Sequence, residues 1–487
     1  MDEMSDSGPY WGETPGTGGA VGARSRAAPR GAGGAAWPHR AEEPPMNSAA
    51  TGSAATDSAA TGSAGTDRAP AARSGAPARR GPRERLAALV SPPRVNALDI
   101  ARALAILGMI GAHVGDIPPF DPIWPASYLS IVHGNSSMLF AVLAGISIAL
   151  VTGRRRIPEP AELPRLRASL LGRGIAIFLI GLVLEMMGTG VAVILTFYGV
   201  VYIAALPVIR LRPSRLLLLA LPIALLGPVL VTLAEMLSLG SYGPGADLVL
   251  IGSYRFTSWA PLILLGMALG RMPLDRPGVA ARIAAIGAGA AVLATVAGMA
   301  LAALLGTLAP EVYGPEAESA ASSAVVEESA EEEDEPGLGW DGYGESLAEM
   351  DPAWELGESV ISLTPHSGST LEIFRSGGIA LAVIGGLLLI ARPLRWVLLP
   401  LSAMGSMPLT AYSVHLVSLV VLAGPGGWIA DDRVWVASAV VLLVACTAWS
   451  ALKGRGPLER VTAWAARRAG QAVPAAAPGP APRSAVR

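Results

Sequence analysis

The sequence predicts an all-α, polytopic membrane helix bundle of about ten transmembrane helices with both termini in the cytoplasm. Three observations carry that expectation. Hydrophobic residues make up 52 % of the 487 residues and charged residues only 15 %, against about 25 % charged in soluble globular domains. The chain therefore lacks the material for a solvated shell. Long apolar runs recur through its middle, many approaching the roughly 20 residues needed to cross a hydrocarbon core of about 30 Å. Arginine-rich connections alternate with connections nearly free of positive charge, as expected when short cationic loops stay on the cytoplasmic side.

Residues 1–92 are rich in Ala, Gly, Ser, Thr and Pro and hold four head-to-tail pentapeptides, SAATG, SAATD, SAATG and SAGTD, from Ser48 to Asp67. Such a stretch buries too little apolar surface to offset the entropy of ordering, so it reads as a disordered cytoplasmic tail. No apolar segment of about 7–15 residues lies near Met1, which argues against a secretory signal. Spans are expected near 96–115, 136–152, 170–187, 190–209, 215–237, 257–271 and 280–306, within a membrane region covering 93–306. An acidic extracytoplasmic loop covers 307–376. Spans near 377–392, 403–424 and 433–452 fill a second membrane region, 377–465, and residues 466–487 form a second disordered tail. Pro408 falls at the start of the ninth span and predicts a broken or re-entrant start there.

Charge tests this layout. Arg79, Arg80, Arg83, Arg85 and Arg94 precede the first span, and Arg154, Arg155, Arg156, Arg165 and Arg167 follow the second. Arg210, Arg212 and Arg215 follow the fourth, Arg271, Arg276 and Arg282 the sixth, and Arg392 and Arg395 the eighth. Lys453, Arg455, Arg460, Arg467 and Arg468 follow the tenth. The loop at 307–376 instead carries the run Glu327 to Glu335 and one arginine, Arg375. That run reads as a solvated insert rather than a metal site. The localisation expected is the cell inner (plasma) membrane, multi-pass.

Ionisable groups inside spans are costly and mark candidate function. Asp99 and Arg102 lie three apart on one helix face near the cytoplasmic boundary. They read equally as an interfacial ion pair or as a binding group for the anionic part of a cytoplasmic ligand, for which the planar guanidinium fork is suited. His113 lies about 21 Å further along the same helix, towards the outer face and near Asp116. His133 precedes the second span and His366, in SLTPHSGST, precedes the eighth, so three histidines share one face. His415 is expected at mid-depth beside Tyr412 and Thr410. A three-His metal site is allowed by residue type but lacks short His spacing. Glu185 and Glu235 mark span ends, and Tyr198 and Tyr202 read as core or interface aromatics. No P-loop, Rossmann fingerprint, GxSxG elbow or HExxH motif occurs, so ATP hydrolysis and zinc-protease chemistry have no sequence support. The arginine clusters follow the loops, so nucleic-acid binding is not expected. One cysteine, Cys446, excludes an intramolecular disulfide.

RVNALDIARALAILGMIGAH (Arg94 to His113) and SSMLFAVLAGISIAL (Ser136 to Leu150) resemble the opening of the heparan-α-glucosaminide N-acetyltransferase-like family. ILTFYGVVYIAALPVIRL (Ile194 to Leu211), TPHSGST (Thr364 to Thr370), GSMPLTAYSVHL (Gly405 to Leu416) and GRGPLER (Gly454 to Arg460) continue the resemblance. The resemblance implies a membrane acyltransferase that moves an acetyl group from cytosolic acetyl-CoA, or another acyl-CoA, to an acceptor across the bilayer. Asp99 and Arg102 match the family's Asp-x-x-Arg, and Tyr412 and His415 its Tyr-x-x-His. A catalytic histidine in the first outer loop is implied, for which His133 and His113 are both candidates.

The expected chemistry needs a base for the acceptor's proton, a role suited to His113, His133 or His415. It also needs stabilisation of the oxyanion and cations for the CoA phosphates, where Asp99 and Arg102 stand. His366, Tyr412 and Tyr198 complete the candidate set. No cofactor is expected to be resident; acyl-CoA is a co-substrate. The expected partners are the lipid bilayer and an extracytoplasmic glycan or lipid-linked acceptor, with a homodimer left open. A proton-coupled transporter and an inactive membrane scaffold are the competing readings.

Overall fold

A computed structural model describes residues 81–474, apart from 93, 119–122, 253, 310–311, 313–339 and 341. Every regular element among the described residues is helical. The helices are α1 (Pro82–Val90), α2 (Asn96–Val114), α3 (Asn135–Val151), α4 (Leu163–Glu185), α5 (Ile194–Ala204), α6 (Pro213–Leu237), α7 (Phe256–Gly270) and α8 (Pro277–Leu308). Two short helices, α9 (Tyr343–Glu349) and α10 (Pro352–Ile361), precede α11 (Thr370–Ile390), α12 (Leu399–Gly405), α13 (Pro408–Ala423), α14 (Asp432–Leu452) and α15 (Pro457–Ala472). A 3₁₀ segment, Pro125–Val132, leads into α3.

Seven helices among the described residues are long and apolar enough to cross a membrane, and nine if two bent pairs each count as one span. The expected count of ten is thus matched by seven to nine among the described residues. The fourth expected span, 190–209, contains only the 11-residue α5, which rises about 16 Å at 1.5 Å per residue and falls well short of the bilayer. The ninth is broken, as Pro408 predicts: α12 and α13 meet at 84°. Pro408 is the first residue of α13, where its missing N–H costs nothing. Residues 82–90, placed within the disordered tail, form α1, and α15 continues past 465 to Ala472. The pentapeptide repeats, the Glu327–Glu335 run and the end of the chain lie outside the described residues.

Burial sorts the helices. The α2 and α3 spans are buried over 72 % and 78 % of their apolar windows, whereas α8 is buried over 11 % and α14 over 17 %. In hydrocarbon, apolar side chains can face lipid at no penalty, so a uniformly apolar helix suits the periphery. Packing inside the bundle relies on small residues. Gly145 of α3 and Gly266 of α7 cross so closely that a Cβ on either would overlap a carbonyl of the other helix. Gly405, at the end of α12, sits on the Asp99 carbonyl of α2 in the same way. The aromatic core joins Phe197, Tyr198, Tyr254 and Trp259, with Trp259 edge-on to Tyr254 at 5.4 Å between centroids.

Candidate active site

The site is organised by the two ends of α2. At its first turn, the buried Asp99 carboxylate accepts from Arg94 on one oxygen and from Arg102 Nη1 at 2.7 Å on the other. Arg102 is held a second time, donating to Ser147 Oγ of α3 at 2.9 Å. These groups line a cavity of about 320 Å³. Arg173 of α4 enters the same cavity wall, its guanidinium 6.0 Å from the Tyr202 ring. The break between α12 and α13 supplies Gly405, Ser406, Pro408 and Leu409 to the lining. Irregular backbone at membrane depth is tolerated where it lines a cavity, and the break meets that condition.

Glu459 of α15 stabilises the broken end. Its carboxylate accepts from the Thr410 backbone N–H at 3.1 Å and from the Thr410 hydroxyl. Thr410 is the third residue of α13, where a negative charge also meets the positive end of the helix dipole. The cavity thus gathers three guanidiniums and two carboxylates, Asp99 and Glu459, an excess of one positive charge. Tyr198 and Tyr412 also line it. The buried Tyr198 hydroxyl has no hydrogen-bond partner among the described residues. The Tyr412 hydroxyl accepts the Ile194 N–H at 3.4 Å.

Three residues beyond Tyr412, His415 faces the other end of α2. Its Nε2 lies 3.0 Å from His113 Nδ1, with the two rings 5.3 Å apart between centroids and 12° from parallel. His415 is 1 % exposed, and its Nδ1 has no partner among the described residues. One of the two facing nitrogens must donate and the other accept, so the pair holds a proton between two imidazoles. His133 and His366 lie within electrostatic range of His113 and of each other. All four histidines outside the N-terminal tail therefore gather at one end of the bundle. His415, expected at mid-depth beside Tyr412 and Thr410, meets His113 near the end of α2. No group of three or more His, Cys, Asp or Glu side chains among the described residues is arranged to hold a metal ion.

His366 lies outside the spans, in the turn that leads into α11; its side chain reaches the surface there, and partial desolvation shifts its imidazole below the usual range. It is therefore neutral near pH 7, the form that can accept a proton. No histidine lines the cavity; Tyr412, which does, lies one helical turn before His415 on α13.

The arrangement pairs a cationic cavity with a proton-holding cluster through one helix. Residues 94–305 match the family model described as heparan-alpha-glucosaminide N-acetyltransferase, catalytic. Over this region the chain is similar to the heparan-alpha-glucosaminide N-acetyltransferase-like family. No curated protein and no solved structure matches the chain. The acetyltransferase-like region runs from α2 into α8 and includes Asp99, Arg102, His113, His133 and Tyr198. Tyr412, His415 and His366 lie beyond it and reach the site through the fold.

Three charged cavity residues, Arg94, Arg173 and Glu459, escape a reading of the sequence. Arg94 counts there only as loop charge. Arg173 sits in an apolar run, where an arginine within a span is itself a signal of function. Glu185 and Glu235, read as end markers, are both engaged: Glu185 accepts from Thr196 at 2.6 Å and Glu235 pairs with Arg255 at 3.3 Å.

Proposed function

We propose that this is an integral membrane acyltransferase that takes an acyl group, acetyl in the simplest case, from cytoplasmic acyl-CoA to a hydroxyl or amine of an extracytoplasmic sugar or lipid-linked acceptor. One observation carries the reading. Tyr412 walls the cationic cavity, and His415, one turn along the same helix, bonds to His113. One turn of α13 thereby links the wall of the donor cavity to the proton-accepting pair.

Arg94, Arg102 and Arg173 suit the phosphates of a CoA donor, since guanidinium–phosphate contacts are charge-assisted and bidentate. The cavity they line takes the thioester end inward. At the far end an imidazole accepts the proton of the acceptor's O–H or N–H as the oxygen or nitrogen attacks the thioester carbonyl. The tetrahedral intermediate collapses with cleavage of the C–S bond, and the thiolate takes the proton back from the imidazolium. The hydroxyl groups of Tyr198 and Tyr412, on the cavity lining, suit the developing oxyanion. The arginine end is the cytoplasmic one in this reading, following the loop charges.

The protein in lipid nanodiscs, given acetyl-CoA labelled in its acetyl group, is expected to release free CoA and pass label to a glycan or lipid acceptor. Failure both to bind CoA and to move label would overturn the reading. The broken helix at Pro408 is shared with proton-coupled transporters; proton-driven solute uptake without acyl chemistry would favour that alternative.

A further inference from the structure

The turn carrying His366 is fastened more heavily than a connecting loop requires. His366 has φ +66° and Gly368 φ +70°. For a non-glycine residue that left-handed conformation is uncommon and persists where surrounding contacts impose it. Those contacts come chiefly from Glu372, which is 0 % exposed. Its Oε1 accepts the His366 N–H at 2.6 Å, and its Oε2 accepts the Gly368 N–H at 2.7 Å and the Ser367 hydroxyl at 3.1 Å. The carbonyls of the turn are held from the opposite side: Ser258 donates to Gly368 at 3.0 Å and Arg255 to Ser367 at 3.5 Å.

The same turn abuts the one that carries His133. A Cβ on Gly134 would lie 3.1 Å from the Pro365 Cβ and 3.5 Å from Glu372 Oε1. Glu372 thus stands beneath two turns at once, each presenting a histidine within electrostatic range of His113.

We propose that Glu372 is the positioning residue of the imidazole cluster, holding the 366–369 turn in its left-handed form so that His366 stays beside His113 and His133. Glu372 touches no substrate in this scheme and acts through the turn. The proposal rests on the acyltransferase reading only for its consequence in catalysis; the hold on the turn stands independently of it.

Glu372→Gln keeps the size of the side chain but replaces one acceptor oxygen with an N–H₂, which cannot serve both oxygens' partners. Two measurements separate the claims. Deuterium labelling of the His366 and Gly368 amides, whose N–H groups Glu372 holds, reports the state of the turn. Glu372→Gln is expected to speed this labelling about tenfold as the turn opens locally. In the otherwise native protein, Glu372→Gln is expected to lower kcat for acyl transfer on the order of 10²-fold, the cost of a misplaced group, with KM for acyl-CoA unchanged. Glu372→Asp, which keeps both oxygens, is expected to recover part of the loss. Should Glu372→Gln fail to accumulate, Ser258→Ala loosens the same turn from its other side, with faster labelling and a smaller kcat loss expected.

Unchanged labelling overturns the proposal whatever the activity. Faster labelling with unchanged kcat also overturns it, because the turn would then not serve the reaction. A parent protein that transfers no acyl group sinks the acyltransferase reading, while the labelling result still decides whether Glu372 holds the turn.

Discussion

The two ends of α2 keep polar groups in the bundle by opposite means. At the Asp99 end, formal charges stand against a cavity, and Arg94 and Arg102 share one carboxylate. At the His113 end there are neutral-capable rings, packed against one another, with none of them on the cavity wall. A charged ligand that comes and goes needs exchangeable, well-solvated cations. A group that must take and return a proton is better served by a dry setting, where hydrogen bonds are stronger and water does not compete. One helix can thus separate binding from proton handling by about 21 Å of its own length.

The largest effect should come from breaking the imidazole end. His415→Ala and His113→Ala are each expected to lower kcat by roughly 10²- to 10⁴-fold, the usual worth of a general base, while binding of a non-hydrolysable acyl-CoA analogue stays at parent strength. Weakened analogue binding in either variant would merge the two ends into one functional unit.

Next comes the shared carboxylate. Asp99→Ala leaves Arg102, whose side chain is 16 % exposed, facing Arg94 with no counter-charge. Removing one partner of a buried pair costs about 3 kcal/mol or somewhat more. A fall in thermal stability of that order is expected, larger than for Arg94→Ala, since Arg94 is 39 % exposed. Equal stability losses for the two variants would show that Asp99 acts as a surface ion pair.

Much of this division can be read from residues alone. The i,i+3 spacing of Asp99 and Arg102 puts them on one helical face, and the structure adds only their third member, Arg94. The shared face of His113, His133 and His366 follows from span order. Pro408 announces the break in the ninth span because proline cannot donate to the helix ladder. Other features depend on what hydropathy does not encode. The run at 190–209 is apolar enough for a span, yet only Ile194–Ala204 is helical. The His113–His415 contact joins residues 302 apart and exists only because the 84° bend redirects α13. Glu372 lies outside the expected span at 377–392 and gives no periodic signal; its role emerges from backbone N–H groups that no sequence pattern displays.

A smaller effect sharpens the cavity end. Arg173 is the one guanidinium of the three without a carboxylate partner among the described residues; its neighbour is the Tyr202 ring. Removing a single charge-assisted bond to phosphate there corresponds to about tenfold in affinity. Arg173→Gln is therefore expected to raise KM for acyl-CoA about tenfold at unchanged kcat, measured by steady-state kinetics. A lowered kcat at unchanged KM would move Arg173 from donor binding to the chemical step.

The smallest expected effect is on pH-dependent stability, and its sign follows from partial desolvation. His366 is held below the ordinary imidazole value of 6.5, so the folded protein resists a proton that the unfolded chain accepts. Above about pH 6.5 both states leave the ring neutral and the penalty is absent. As pH falls below that value the unfolded state binds the extra proton and stability declines, until the folded-state value is reached and the difference stops growing. His366→Gln removes this contribution. Between about pH 7 and pH 5 its thermal midpoint should fall less steeply than the parent's, with the two proteins' carboxylate titrations common to both curves. Parallel slopes would take His366 out of the acid response. A steeper slope in the variant would reverse the sign, showing that the imidazole is stabilised as a cation beside Glu372 rather than kept neutral by its surroundings.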